Sequence, residues 1–415
     1  MLKLFDPNVT EQEVSSVKEV LLSHNWASGA GLDKVKEFED EFCKYLGTKA
    51  VVTVNSGTAA LHLALSLLSP KGHDILVPSF SFVSTAHAVV LNGANPVFVD
   101  VDPVTLCIDP ADLENKIRRT HAKAVIPVHF GGMPCNMHEL KKIGDSHSLA
   151  IIEDAAHACG SKYQSRQIGN ISEMTCFSFH PVKNLSMPSG GAIAISSSNA
   201  EAYKLKLESL RWCGIDCRKG TSYDVTSIAP NYYLNEISAA IGLVQLEKLD
   251  RLNTRRKEIA HRYYKEIRTD SKMPYSDDCV YHLYWVLSPR RNELIKHMNG
   301  RKIEVGTHYR PINTMSAYRK LSNTHIPITE KMGSEIITIP IHTNLSDEDV
   351  SHIINSINEF TQADYCVVYL GSISLQSTRS SYVKLTCLYT RYRPSLQNLL
   401  YPLHEYPVSD LHQQQ

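Results

Sequence analysis

Residues 50–65 read AVVTVNSGTAALHLAL and contain the transition on which the fold depends. The first five are apolar or β-branched, which is typical of a strand buried on both faces, and the apolar residues after Thr58 are typical of a buried helix. Gly57 allows a tight turn between them, and the first amides of the helix could bind a phosphate. Because such a turn often needs glycine for its geometry alone, the motif by itself leaves the phosphate site open.

The same alternation continues along the chain. Short apolar, β-branched runs occur at 50–54, 74–77, 97–101, 124–128, 149–152, 174–179 and 192–195. Segments between the earlier runs that could form helices are 58–68, 81–92, 110–119 and 136–147. This order predicts an α/β fold with a mostly parallel central sheet, whose ligands bind beyond the carboxyl ends of the strands. The residues expected there are 55–58, 78–82, 154–157 and 178–183.

Helical patterns predict two domains and a tail. Thr10 and Glu13 form a capping-box pattern in an N-terminal helical arm, and Ser346 and Asp349 are placed to cap the last helix. A long helical pattern over 234–265 predicts the helix that links the domains. We expect a large ligand-binding domain over 1–245, a smaller α/β domain over 246–360 and a divergent tail of unknown structure over 361–415.

Composition excludes several classes of protein. The 415 residues carry 43 Lys+Arg and 43 Asp+Glu, so the chain lacks the positive charge of a general nucleic-acid binder. No apolar run approaches the roughly 20 residues of a membrane helix, and the first residues lack a signal-peptide core. The ten cysteines form neither a zinc spacing nor a secreted framework, which favours reduced thiols in the cytoplasm and predicts no metal site.

Two strand ends carry residues that could take part in catalysis or in cofactor binding. Asp154 ends one strand and could act as a general base, a metal ligand, a partner of a protonated ring nitrogen, or simply a helix N-cap. His157 follows it and by itself would be read as a structural histidine. Lys183 lies near the next strand end in an apolar segment, where desolvation favours the neutral amine that forms Schiff bases. A phosphate site, a carboxylate and such a lysine together are what pyridoxal phosphate requires.

Ordered motifs over about 1–360 resemble those of the DegT/DnrJ/EryC1/StrS family of sugar-nucleotide aminotransferases, which have fold-type I architecture. The motifs are 26–29 (WASG), 55–65 (NSGTAALHLAL), 78–86 (PSFSFVSTA), 93–100 (GANPVFVD), 129–134 (HFGGMP), 153–158 (EDAAHA), 178–185 (SFHPVKNL), 190–191 (GG), 231–246 (NYYLNEISAAIGLVQL), 308–311 (HYRP) and 339–342 (IPIH). The resemblance implies an α/β fold with a large pyridoxal-phosphate domain, a mostly parallel sheet and a smaller C-terminal domain.

The resemblance also implies a role for each matched residue. Lys183 would form the Schiff base with pyridoxal 5'-phosphate and shuttle the proton, and Asp154 would keep the pyridine nitrogen protonated. Phe82 would stack on the ring, with a core phenylalanine as the less favoured alternative, and His157 would lie beside the ring. The remaining matches are Gly57, Thr58 and Ser178 as phosphate ligands, Asn231 reaching the phosphate of a neighbouring subunit, and His308 and Tyr309 near the sugar.

The implied reaction is transamination from glutamate to a nucleotide-linked keto-sugar in amino-sugar or polysaccharide biosynthesis, by a homodimer with shared active sites. The motif forms at 154–157 and 178–183 favour amination at C4 of a 4-keto-6-deoxy sugar. Residues 186–191 and 231–234 depart from the family's usual forms, and the second change removes an arginine at the subunit boundary. Two alternatives remain: a pyridoxamine-phosphate-dependent sugar dehydratase, which Lys183 disfavours because those enzymes carry histidine there, and a cofactor-binding regulatory or scaffold protein without turnover.

Overall fold

Strands and helices alternate along the first half of the chain, as expected. The computed structural model describes residues 1–321 and 325–375, and of 363–375 it describes the backbone alone. The strands are β1 (Ala50–Val54), β2 (Asp74–Pro78), β3 (Asn95–Val99), β4 (Ala122–Val125), β5 (Ala150–Asp154), β6 (Lys162–Tyr163), β7 (Arg166–Gln167), β8 (Met174–Ser178), β9 (Gly191–Ile195), β10 (Ile215–Lys219), β11 (Ser222–Val225), β12 (Tyr284–Leu287) and β13 (Ile336–Ile339).

The helices of the described chain complete the layers. They are α1 (Glu11–Ser23), α2 (Asp33–Leu46), α3 (Gly57–Ser66), α4 (Ser84–Leu91), α5 (Pro110–Ile117), α6 (Met137–His147), α7 (Ala200–Leu210), α8 (Glu236–Glu247), α9 (Leu249–Glu266), α10 (Arg291–Gly300), α11 (Pro327–Glu335) and α12 (Asp347–Leu375). Among the described residues, none of these helices combines the length and the apolar character that a membrane span requires.

The seven predicted strand runs form one central sheet. Its strand order is β1-β9-β8-β5-β4-β2-β3, and every neighbouring pair is parallel except the two made by β9. All residues of β1 and β9 are buried, which explains why these runs show no alternation of polar residues. The mostly parallel sheet is therefore confirmed.

The prediction of one continuous helix over 234–265 is wrong. Two helices, α8 and α9, occupy this segment and meet at Lys248. The Lys248 side chain is buried, donates to the carbonyl of Asn8 3.2 Å away and forms an ion pair with Glu13. This anchorage to the N-terminal arm coincides with the interruption, which an apolar periodicity cannot indicate.

Both predicted caps are present. The side chain and backbone of Thr10 exchange hydrogen bonds with Glu13 at the start of α1, and Ser346 and Asp349 do the same at the start of α12. The last helix continues to Leu375, past residue 360 where the predicted small domain ends, and residues 361–370 contain neither glycine nor proline.

Contacts divide the chain into two units, Met1–Asn358 and Glu359–Gln415. The boundary near 245 within the first unit stays a prediction. Of the predicted tail, residues 376–415 lie outside the described part.

A second, two-stranded sheet positions part of the cavity described below. In it β12 and β13 pair in antiparallel register. Gly306 exchanges two backbone hydrogen bonds of 2.8 and 2.9 Å with Thr338 on β13. These bonds hold the segment that leads into His308 and Tyr309, so two residues from the distant C-terminal half reach the edge of the central sheet.

Candidate active site

A cavity of about 390 Å³ opens at the carboxyl ends of the central strands, a volume typical of small-molecule sites. Nine of the ten predicted site residues line it: Gly57, Thr58, Phe82, Asp154, His157, Ser178, Lys183, His308 and Tyr309. Asn231 is exposed and does not line the cavity of its own chain. The sheet topology thus brings together the four segments expected from the sequence.

One end of the cavity is suited to an anion. The N-terminus of α3 lies there, and its first backbone N–H groups have no acceptor within the helix. A Cβ at Gly57 would lie 2.7 Å from the Cβ of Ser178, so only glycine permits this approach of α3 to β8. The hydroxyls of Thr58 and Ser84 lie 2.6 Å apart at the same end. Backbone amides and hydroxyls together can hold a phosphate group.

Asp154 lies on the floor of the cavity with few hydrogen-bond donors. One carboxylate oxygen accepts from the Thr85 hydroxyl at 2.8 Å and the other from the Ala156 backbone amide at 3.1 Å. Burial raises the pKa of Asp154, although these donors and the charge of Lys183 oppose the shift. Each oxygen retains capacity for a further donor, which a protonated ring nitrogen would supply.

The neighbouring Glu153 lies behind this floor and is fully buried. It accepts from His129 Nε2 at 2.9 Å, from the Ser172 amide at 2.8 Å and from the Thr175 hydroxyl at 3.2 Å. Burial by itself would raise the pKa of Glu153, but the hydrogen bond and charge interaction with His129 and the hydrogen bond from the Ser172 amide outweigh burial and lower that pKa. The backbone amide of His129 also donates to the carbonyl of Asp154 at 3.1 Å, so this group supports the floor.

Lys183 is the cationic side chain among the residues that line the cavity. Burial lowers the pKa of its amine to about 8, although the charge of Asp154 opposes this. At neutral pH a fraction of about one tenth is therefore the neutral amine, the form that attacks carbonyls. Its Nζ lies 3.4 Å from Nε2 of His282.

His157 is held in one tautomer. Its Nδ1 accepts from the Gly131 backbone amide at 3.2 Å, so the proton of the neutral ring is on Nε2, which faces the Tyr309 hydroxyl 3.2 Å away. Burial, and then the charges of Lys183 and His308, lower the pKa of His157 far below its ordinary value. The ring therefore offers a neutral N–H donor beside the cavity.

Aromatic side chains form the cavity wall. Phe82 is 55% exposed, so the alternative of a core phenylalanine does not hold, and its ring lies 5.9 Å from that of Tyr309. His308 is held by the Thr338 hydroxyl 2.7 Å from its Nδ1, and burial followed by the Lys183 charge lowers its pKa to about 4. An exposed aromatic at the mouth of a concave site is suited to stacking on a planar ligand.

Three residues of the site were missed in the sequence. Thr85 contacts Asp154 across 69 positions, and His282 contacts Lys183 across 99. Phe5 reaches the cavity from the N-terminus and stacks on His282. Thr85 lies in the motif 78–86, so its position near a strand end could have indicated its role. Nothing in the sequence indicated His282 or Phe5.

The cavity fits pyridoxal phosphate. The anion site at α3, the carboxylate of Asp154 with spare acceptor capacity and the Lys183 amine of lowered pKa are the three groups that the cofactor needs. The close approach of Gly57 to Ser178 adds a cradle that a larger side chain would block.

Comparison with known proteins gives a consistent family assignment. The model of the DegT/DnrJ/EryC1/StrS aminotransferase family matches residues 7–358. The GDP-perosamine synthase of Escherichia coli O157:H7 is 33% identical over 366 residues, covering 86% of this chain and 98% of the relative.

Solved structures agree with this result. The PMP form of Spr1654 from Streptococcus pneumoniae, described as a sugar aminotransferase, superposes with a TM-score of 0.83 at 28% identity and covers 88% of this chain and 100% of its own. Helicobacter pylori PseC, an aminotransferase of pseudoaminic acid biosynthesis, gives a TM-score of 0.81 at 28% identity over 87% and 99% of the two chains. The chain therefore belongs to the DegT/DnrJ/EryC1/StrS aminotransferase family, the pyridoxal-phosphate-dependent sugar aminotransferases with fold-type I architecture.

Proposed function

We propose that this sugar aminotransferase moves an amino group from glutamate to C4 of a 4-keto-6-deoxy sugar linked to a nucleoside diphosphate. The relative named GDP-perosamine synthase supports a nucleotide-linked amino sugar as the product. The motif forms at 154–157 and 178–183 support position C4. The observation that carries the proposal is Lys183, a half-buried lysine whose amine has a pKa of about 8, in a cavity whose floor is Asp154.

Each side chain has a distinct task in this proposal. When bound, pyridoxal phosphate supplies the carbonyl that takes up the amino group and the ring that accepts electrons. Gly57, Thr58 and Ser178 would hold its phosphate, and Asp154 would keep the proton on its ring nitrogen. Lys183 takes up and returns a proton at Nζ, as its lowered pKa allows near neutral pH.

The reaction is tested with purified protein, glutamate and a panel of nucleotide-linked 4-keto and 3-keto sugars. We expect equal amounts of 2-oxoglutarate and amino sugar, with the 4-keto-6-deoxy sugars as the best acceptors. Lys183→Ala is the blank, and Lys320→Ala, which removes an exposed lysine outside the cavity lining, is the matched control. Absence of an amino sugar with every acceptor would refute the proposal.

We further propose a homodimer in which each site is completed by the partner subunit. Asn231 is exposed and lies outside its own cavity, although the family pattern assigns it to a cofactor phosphate. The nearby hairpin β10–β11 exposes Tyr223 and Val225, and Ile228 beyond it is fully exposed, an apolar surface that a second copy would cover.

Subunit mixing tests the shared site. Lys183→Ala and Asn231→Ala subunits are each expected to be nearly inactive, whereas a mixed dimer contains one intact site. Unfolding and refolding the two together should restore about a quarter of the wild-type activity if subunits pair at random. No recovery, with dimers present by light scattering, would place Asn231 in a site formed by one chain.

A cytoplasmic location belongs to the same proposal. The eight cysteines whose side chains the structure describes are free, and several of them are buried in the core, which suits a reducing compartment.

The two alternatives are not favoured. The family and its solved members are sugar aminotransferases, which weighs against a scaffold protein without turnover. Lys183 occupies the position where the dehydratases carry histidine. Formation of 2-oxoglutarate when the protein is incubated with glutamate alone would exclude the scaffold hypothesis, since a protein without turnover would not react with the amino donor.

A further inference from the structure

Three histidines, of which His157 and His282 are buried, lie near the Lys183 amine, and they differ in the hydrogen bonds made by Nδ1. In His157 and His308, Nδ1 is engaged by a backbone amide and by a threonine hydroxyl, respectively. In His282, Nδ1 makes no hydrogen bond to any residue that the structure describes. The Thr338 hydroxyl beside His308 can donate or accept, so only the Gly131 amide beside His157 excludes a proton on Nδ1. His282 can therefore carry its proton on Nδ1 without facing a donor there.

The position of the His282 ring is set by packing. It is 1% exposed, it stacks on Phe5 with ring centres 5.7 Å apart and planes inclined by 18°, and its centre lies 4.5 Å from that of His157. This packing leaves Nε2 facing Nζ of Lys183 at 3.4 Å, the long end of the range for a hydrogen bond. Catalytic hydrogen bonds are often long in ligand-free proteins.

Burial, and after it the surrounding charges, keep His282 neutral. Burial is the largest cause that lowers its pKa far below the ordinary value, followed by Lys183, His157, Arg256 and His308. The guanidinium of Arg256 is itself buried and donates to a backbone carbonyl. A neutral ring with its proton on Nδ1 presents a lone pair at Nε2.

We propose that His282 is a positioning residue for Lys183, whose ammonium donates a hydrogen bond to the neutral Nε2 of the ring. A half-buried ammonium needs acceptors, and among the described residues that line the cavity the one carboxylate is Asp154. The bond to His282 holds Nζ in place and stabilises its charged form. Its importance for turnover rests on the proposed function, but the bond itself does not.

The first test measures the Lys183 amine in the cofactor-free protein, independently of turnover. Competitive acetylation with acetic anhydride across a pH series, followed by mass spectrometry of the Lys183 peptide, gives its titration midpoint. We expect a midpoint near 8 in the wild type. His282→Phe, which keeps a ring against Phe5 but removes the acceptor, should lower it by about one unit and so raise reactivity at pH 7 about fivefold.

Two controls separate hydrogen bonding from packing. His282→Gln supplies an amide oxygen and should return the midpoint toward that of the wild type. Phe5→Leu keeps an apolar side chain against His282 and retains the acceptor at Nε2, so it should shift the midpoint much less than His282→Phe. An unchanged midpoint in His282→Phe, or an equal shift in Phe5→Leu, would overturn the proposal.

A second measurement requires no destabilising variant. ¹⁵N NMR of the histidine-labelled, cofactor-free wild type below pH 8 should report the Nδ1–H tautomer for His282, assigned by the signal lost in His282→Gln. A dominant Nε2–H tautomer would contradict the proposal even if sugar amination is found. Failure to aminate any sugar would leave this result intact, so the two claims fail separately.

Discussion

Glu153 and Asp154 are neighbours at the end of β5, and both are almost fully buried, yet their environments differ. Glu153 accepts three hydrogen bonds from His129, Ser172 and Thr175, and its pKa is lowered. Asp154 accepts two, and its pKa is raised by burial. The difference shows that one carboxylate is satisfied by the fold itself, while the other retains acceptor capacity for a ligand.

The largest expected effect is on catalysis, from Asp154→Asn. This change keeps the shape but removes the charge that would hold a proton on the cofactor ring, so we expect transamination to fall by about 10³-fold. Steady-state rates with saturating cofactor measure it. A rate within tenfold of the wild type would show that Asp154 is not the partner of the cofactor's ring nitrogen.

The matched substitution of the neighbouring carboxylate, Glu153→Gln, should lower the stability of the fold instead of the rate. One glutamate oxygen accepts from Ser172 and Thr175 and the other from His129, so the amide NH₂ must face a donor. His129 cannot easily change tautomer, because its Nδ1 already accepts from the Cys135 amide at 3.0 Å.

We expect Glu153→Gln to lower the free energy of unfolding by about 2 kcal/mol, the cost of leaving a buried donor unpaired. Urea denaturation of the cofactor-free protein measures this, and the rate of the folded fraction is the control. Equal losses of stability in Glu153→Gln and Asp154→Asn would show that the fold depends on the two carboxylates to the same extent.

A smaller effect is expected from the threonines that donate to each carboxylate. Thr85→Val removes the 2.8 Å bond to Asp154 and should lower the transamination rate by about tenfold, as expected for a hydrogen bond to a charged group. Thr175→Val removes the 3.2 Å bond to Glu153 and should lower stability with little change in rate. An equally large loss of rate in Thr175→Val would indicate that Glu153 as well as Asp154 contributes to catalysis.

The smallest effect concerns pH. Because the pKa of Glu153 is lowered on folding, its contribution to stability is complete above its unfolded pKa of about 4.3 and is lost as pH falls through the lower folded value. Asp154 has the opposite sign: its raised pKa makes the carboxylate unfavourable for folding above the folded value.

Asp154→Asn should therefore stabilise the cofactor-free protein at pH 7, by less than about 1 kcal/mol, and the gain should shrink on acidification. Urea unfolding at pH 7 and at pH 4.5 checks this sign. A destabilised Asp154→Asn protein at pH 7 would mean that the carboxylate contributes to the fold after all.

The sequence was sufficient for the fold because local signals agreed. The apolar runs predicted all seven strands of the central sheet, and the residues that follow those strands line the cavity. Lys183 and Asp154 could be proposed as site residues because their strand-end positions and the family resemblance coincide.

Other features depend on contacts between distant segments. The interruption at Lys248 accompanies its contact with Glu13, and His282 acquires its importance only beside Lys183. The unequal satisfaction of Glu153 and Asp154 likewise depends on donors from separate elements, so two adjacent carboxylates look alike in the sequence.

The most direct measurement is the ¹⁵N chemical shift of the ring nitrogen in protein loaded with ¹⁵N-labelled pyridoxal phosphate. We predict a protonated nitrogen in the wild type and in Glu153→Gln at neutral pH, and an unprotonated one in Asp154→Asn. A nitrogen that is unprotonated in the wild type, or that stays protonated in Asp154→Asn, would contradict the assignment of Asp154 as the carboxylate kept for the cofactor.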